Sequence, residues 1–226
     1  MRYTALLSAV ILAIPLVGHA QVTTVDEGSF TIYRGSSCIG HETFTIRRSA
    51  KAGGAVFIAS ATVQIASQQL APALRTDSAG SPLAYQVEVR TGSRLQERLS
   101  GQIGRGRFSA RVVTPRGESA KEYIVSDGAI VLDDDVFHQY YFLAHRSHSG
   151  AVPVVIPRRN AQIMMHVKPD GQEELAIGGD PLMARHLTLT APNGDTRQLW
   201  VDPEGRVLKV QLQAQGVTAV RDEPPG

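Results

Sequence analysis

Apolar and polar residues alternate one by one along much of this chain. In Tyr85-Gln86-Val87-Glu88-Val89-Arg90 the apolar side chains share one face. Phe44 and Ile46 alternate with Thr43, Thr45 and Arg47. Leu208, Val210 and Leu212 alternate with Lys209, Gln211 and Gln213. A period of two with one wet face marks antiparallel sheet. Turn signals divide these runs: Arg116-Gly117, Asp127-Gly128, Asp170-Gly171, Asn193-Gly194 and Pro203-Glu204-Gly205. Short turns linking neighbouring strands make a meander. About a dozen strands exceeds what one flat sheet holds, so it must curl, close or split. The expected fold is mainly β: one domain over 21–221, a strongly curved antiparallel meander forming an incomplete barrel or a sandwich.

One segment departs from this period. From Asp134 to Arg146 the apolar residues Val136, Tyr140 and Leu143 recur at helical spacing, with Phe137 and Ala144 beside them. Asp133, Asp134 and Asp135 suit an N-cap, and His145 and Arg146 suit the opposite end of the helix dipole. One amphipathic helix over about 134–146 is predicted, packed on the concave side of the sheet. Val152–Ile156, which contains Pro153 and precedes Pro157, is predicted as an edge strand or an extended cover. Pro181 is a candidate break before a C-terminal meander. The stretch 222–226, charged and proline-rich, is predicted as a flexible tail.

The N-terminus carries an export pattern. Arg2 is followed by a run from Ala5 to Val17 broken only by Ser8 and Pro15, and then by Gly18-His19-Ala20. This is a basic n-region, a short apolar core and a small-residue cleavage site. Residues 1–20 are expected to be a signal peptide cut after Ala20, giving a periplasmic or secreted protein. The run falls short of the roughly 20 apolar residues of a spanning helix, and no later stretch predicts a transmembrane segment. Cutting there removes one basic residue and leaves 22 basic against 21 acidic. Such a balance gives no electrostatic argument for nucleic acid or an acidic membrane surface. Cys38 is the only cysteine, so it has no internal disulfide partner.

The candidate chemistry is sparse. His138 and His145 lie seven apart, roughly 10 Å along a helix axis, too far to share one ion with Asp134 and His148. Asp133-Asp134-Asp135 lacks calcium-loop spacing. Asp77-Ser78-Ala79-Gly80 reads as a turn rather than half of a carboxylate dyad. Gly104-Arg105-Gly106-Arg107 lacks the lysine and helix of a phosphate loop. Cys38 and His41 form a nominal thiol–base pair whose geometry depends on the fold. Trp200 is expected to anchor the core or cover a sheet end, with stacking on a sugar or lipid as its functional alternative.

Several segments together suggest a relationship. They are the Tyr33-Arg34-Gly35 strand end, Leu70-Ala71-Pro72, the aspartate-led aromatic helix, and a final hairpin spanning Leu199-Trp200-Val201-Asp202-Pro203-Glu204-Gly205-Arg206. The chain resembles a group of exported bacterial β-rich proteins of unknown function with a curved antiparallel sheet and one central helix. In outline it is also similar to periplasmic lipoprotein carriers, which hold acyl chains between sheet and helices. The resemblance implies a non-enzymatic envelope protein with no cofactor. Its expected ligand is an apolar small molecule or lipid held between sheet and helix by Phe137, Tyr140, Tyr141 and Met165, with Trp200 as a further contact. A protein–protein interaction or scaffolding module of the envelope is the alternative, and a metal-dependent or thiol hydrolase ranks third. A crevice filled by the protein's own side chains favours the interaction module.

Overall fold

The computed structural model describes residues 22–51, 54–146 and 149–226. The leader at 1–20 lies outside the described residues. The first eight strands are β1 (Val22–Arg34), β2 (Ser37–Lys51), β3 (Gly54–Ile65), β4 (Gln68–Asp77), β5 (Pro82–Thr91), β6 (Arg94–Gly104), β7 (Arg107–Thr114) and β8 (Gly117–Ile124). A short β9 (Ile130–Val131) and helix α1 (Tyr140–Arg146) follow. The rest are β10 (Gly150–Ile156), β11 (Ala161–Ile177), β12 (Asp180–Thr190), β13 (Thr196–Val201), β14 (Val207–Leu212) and β15 (Val217–Arg221). All fifteen strands form one sheet, ordered β8-β7-β6-β5-β4-β3-β2-β1-β15-β14-β13-β12-β11-β10-β9. Every neighbouring pair is antiparallel except β9 with β10. The order is a meander from each end, joined where β1 pairs with β15.

Alternation explains which face each strand buries. Tyr85, Val87 and Val89 of β5 face the interior, as do Phe44 and Ile46 of β2. Their inward side chains join those of α1 in one core. Residues 140–144 of the helix are all buried, so α1 sits inside the curve of the sheet. The sheet stays open, with β8 and β9 as its two ends. The connection after β8 is tied to β11 by Gln162, whose amide oxygen accepts the Ser126 N–H and whose amide nitrogen donates to the Ser126 hydroxyl, both at 2.8 Å.

Several expectations are corrected by contacts that the local pattern does not contain. The helix begins at Tyr140, not near 134. Asp135 takes φ +61°, a left-handed conformation that interrupts any helix through it. Asp133 is drawn inward by Tyr85 and Arg158 and does not cap. Its place is taken by Glu42 of β2, which accepts the N–H groups of Phe137 and His138. Asp170-Gly171 is no hairpin turn but a register shift inside the continuous β11. The hairpin turns instead at Gly178 and Gly179, and Pro181 lies within β12 opposite Ala176. Val152–Ile156 is not an edge: β10 is covered by β9 and β11, and these five residues are buried.

The last strands show a finer departure. A register shift between Trp200 and Val201 leaves Leu208 opposite no residue of β13. Val207, Val210 and Leu212 join the main core, while Leu208 turns to the other face beneath Trp200 with Ile177 and Ala184. The C-terminal segment is also tied down. Asp222 accepts the hydroxyls of Ser29 and Thr31 at 2.5 and 2.6 Å, and the Gly226 carbonyl accepts from Arg206.

Candidate functional site

Three polar knots in the interior are each built on a buried carboxylate, and His138 Nε2 and Arg221 Nε within them find no hydrogen-bond partner among the described residues. Glu42 and His138 form one. In the second, Asp133 accepts the Tyr85 hydroxyl at 2.7 Å and Arg158 Nε at 2.9 Å. Burial raises the Asp133 carboxyl above its ordinary range, against the pull of the Arg158 guanidinium. In the third, Arg221 makes a two-point contact with Asp26 at 2.8 and 3.2 Å. Burial again raises the Asp26 carboxyl, opposed by Arg221. Apart from Arg158, whose side chain is 17% exposed, these groups are 5% exposed or less, so they hold the fold.

The expected ligand residues are divided between the two faces of the sheet. Phe137, Tyr140, Tyr141 and Met165 are 1, 2, 7 and 0% exposed and belong to the main core. They occupy the space between helix and sheet themselves, so that space is packed where a lipid was expected. Tyr140 is anchored there by Arg197, which donates to its hydroxyl at 2.9 Å. Trp200 lies on the opposite face. Its ring stacks on His186 at 4.4 Å, the Lys209 ammonium sits 4.4 Å from its ring centre, and Nε1 donates to Glu173. The residue therefore closes a small second core rather than offering a stacking platform.

The other candidate groups fall in separate places. His138 is buried against Glu42, while His145 is exposed and lies tilted against the Tyr141 ring at 3.9 Å. Among the described residues no three His, Cys, Asp or Glu side chains come together as a metal cage. Cys38 is exposed, with its sulfur 3.7 Å from His41 Nε2 and 3.8 Å from the Gly40 carbonyl. Asp77 caps its own turn, accepting the Ala79 and Ser81 N–H groups at 2.9 and 2.8 Å.

The outer face carries the clearest concave surface, a groove of about 840 Å³ across β3 to β8. Strand register resolves its floor into two outward rows. One runs Ile58, Arg75, Ala84, Gln102, Ser109 and Glu122. The other continues from Ala73 through Gln86, Ser100 and Arg111 to Ala120. Between them runs an inward row that includes Leu74, Tyr85, Gly101 and Ala110, of which Leu74, Tyr85 and Ala110 place their side chains in the core. The short outward residues leave the main chain between the rows accessible. Six strands at about 4.8 Å spacing give the groove a length of about 24 Å.

Its electrostatics are simple. Arg111 is paired with Glu118, and Glu122 with Arg107 at 3.2 Å. Arg75 makes no ion pair among the described residues. Gln86, Gln102, Ser100 and Ser109 supply both donors and acceptors. None of these residues stood out in the sequence, because each is an ordinary outward position of its own strand.

No protein-family model and no curated protein matches the chain. Among solved structures it is similar to a β-barrel-like protein of a domain of unknown function, DUF1849, from Brucella abortus. The TM-score is 0.57 at 8% identity, covering 90% of this chain and 97% of that one. At that identity the likeness is one of fold. It agrees with a β-rich architecture in which one strongly curved sheet surrounds a helix.

Proposed function

We propose that the protein is exported and works in the cell envelope without catalysis, as an interaction module that binds an extended segment of another envelope protein. The observation that carries this reading is the outer groove, which ends at Ala120 and Glu122 on β8, the strand at one open end of the sheet. A partner crossing the groove meets small apolar and polar side chains along about 24 Å and then the outer edge of the last strand, whose main chain can hydrogen-bond to it. The packing of Phe137, Tyr140 and Met165 supports this over a lipid carried in the interior. Reading the protein as non-catalytic is supported by Asp26 and Asp133, buried carboxyls that are paired with Arg221 and Arg158. The leader at 1–20 supports export.

Two measurements test this. N-terminal sequencing of the protein from its native cell should begin at Gln21, and a chain still starting at Met1 in the cytoplasm overturns export. A photo-crosslinking residue placed at Ser109 should give one discrete adduct with an envelope protein, and one at Thr188, on the other half of the sheet, should not. Ser100→Trp, which fills the groove from an exposed position, should abolish the adduct. Equal labelling from both positions, or an adduct that survives Ser100→Trp, overturns the groove as the docking surface.

A further inference from the structure

A second, smaller cavity lies where the end of α1 meets the β4–β5 turn. Its volume is about 210 Å³, and it is lined by Phe57 of β3, Ser78, Ala79 and Gly80 of the turn, and Tyr141, Phe142 and His145 of the helix. It is separate from the outer groove and shares no residue with it.

The walls are aromatic and mutually braced. Phe142 meets Phe57 edge-on at 6.4 Å and 81°, and meets Tyr141 edge-on at 5.4 Å and 83°. Such contacts fix ring planes as well as positions. The turn is held by Asp77, whose carboxylate accepts two turn N–H groups and whose main chain closes the bend through Ser81 and Gly80. Gly80 has φ +79° and brings its main chain against Phe142, where an added Cβ would sit 3.8 Å from the ring.

His145 supplies the polar group, and its neighbours define its chemistry. Nδ1 lies 2.9 Å from the main-chain oxygen of Tyr141. A carbonyl oxygen only accepts, so Nδ1 carries a proton, and in the neutral ring Nε2 presents a lone pair. No hydrogen bond engages Nε2 among the described residues. The ring is held in place by Tyr141, 3.9 Å away and tilted by 31°, and by the main chain of Gly205, where a Cβ would fall 2.8 Å from Cε1.

An apolar cavity of about 150 Å³ accommodates benzene. A cavity of 210 Å³ with aromatic walls therefore suits one planar ring or a small fused pair. We propose that this cleft binds a small planar aromatic molecule bearing one hydroxyl or N–H donor, with its ring against Phe57 and Phe142 and its donor on His145 Nε2. The small ligand does not depend on the outer groove, so either proposal stands if the other fails.

Binding of indole, phenol and toluene to the purified protein, followed by ligand-observed NMR with titration, tests the assignment. Indole and phenol should bind saturably, and toluene about fivefold more weakly, since it lacks the donor. His145→Phe should erase that difference while retaining toluene. Ala79→Trp, at an exposed turn position beside the cleft, should abolish binding of all three, with an unchanged circular dichroism spectrum showing that the fold is intact. Absence of saturable binding, or binding that survives Ala79→Trp, overturns the site. Toluene binding as tightly as indole overturns the donor requirement and with it the ligand class.

Discussion

Glu42 holds His138 through a 2.5 Å contact to Nδ1, although 96 residues separate the two in the chain. The same carboxylate accepts the His138 N–H at 3.0 Å and the Phe137 N–H at 2.7 Å. Both side chains are fully buried, and the His138 ring stacks on Phe44 at 5.8 Å, itself stacked on Phe30 at 5.2 Å. One acidic residue on β2 thus positions the turn that launches α1.

Removing that carboxylate strands three buried donors. Glu42→Ala should cost about 3 kcal/mol or more, whereas Glu42→Gln, which keeps one acceptor oxygen, should cost about 1–2 kcal/mol. Urea unfolding followed by near- and far-ultraviolet circular dichroism measures both. If neither variant loses as much as about 1 kcal/mol, the cap is not what holds the helix.

Asp133 should make stability depend on pH. Its folded value lies above the ordinary 3.8 because burial disfavours the charged form. The folded protein then holds the proton more tightly than the unfolded chain does. This contribution is complete below pH 3.8 and is lost as pH rises through the folded value. Asp133→Asn cannot titrate, so the stability difference between wild type and variant should shift against the wild type as pH rises through that window. Urea midpoints across a pH series decide the matter, and a flat difference would show that Asp133 titrates alike in both states.

Gly40 is required by a close approach between strands. A Cβ at this position would fall 2.0 Å from the main-chain oxygen of Gln64 on β3, which has no flexible side chain to yield. Gly40→Ala should cost about 2–3 kcal/mol as an overpacking change. Gly104, at the end of β6, has nothing within 4 Å of such a Cβ, so Gly104→Ala should change stability by less than about 0.5 kcal/mol. Thermal unfolding of the pair provides the comparison. Equal losses would mean that the β2–β3 contact yields.

Much of this architecture was legible because strand formation has a local signature. The alternation in Tyr85–Arg90 identified both β5 and its buried face. The turns at Arg116-Gly117 and Asp127-Gly128 fell where strands end. Asp170-Gly171 misled because a glycine at positive φ serves a bulge as readily as a turn, and only the partner strand decides between them. The aspartates before α1 misled for a related reason. Three good caps stood in sequence, but Arg158 and Tyr85 hold the first, and the acceptor for the turn came from another strand.

The candidate sites were harder to see. The groove residues are scattered from Ile58 to Glu122 and meet only through the register of six strands. The aromatic cleft joins Phe57 to Phe142, and nothing local to either residue marks the other. Tyr141 was singled out with Phe137, Tyr140 and Met165, yet of these four it alone borders that cleft, because it lies one helical turn from His145 on the same face of the helix.

By itself the sequence determined the β-rich meander, most of the inward faces and the presence of one helix, since period and turn chemistry act over a few neighbouring residues. Tertiary structure decided that the sheet stays open, where the helix starts, which aromatic residues are core, and where the concave surfaces lie. Those outcomes depend on contacts between residues tens of positions apart, such as Glu42 with His138 and Asp26 with Arg221, and on strand register, which no local pattern encodes.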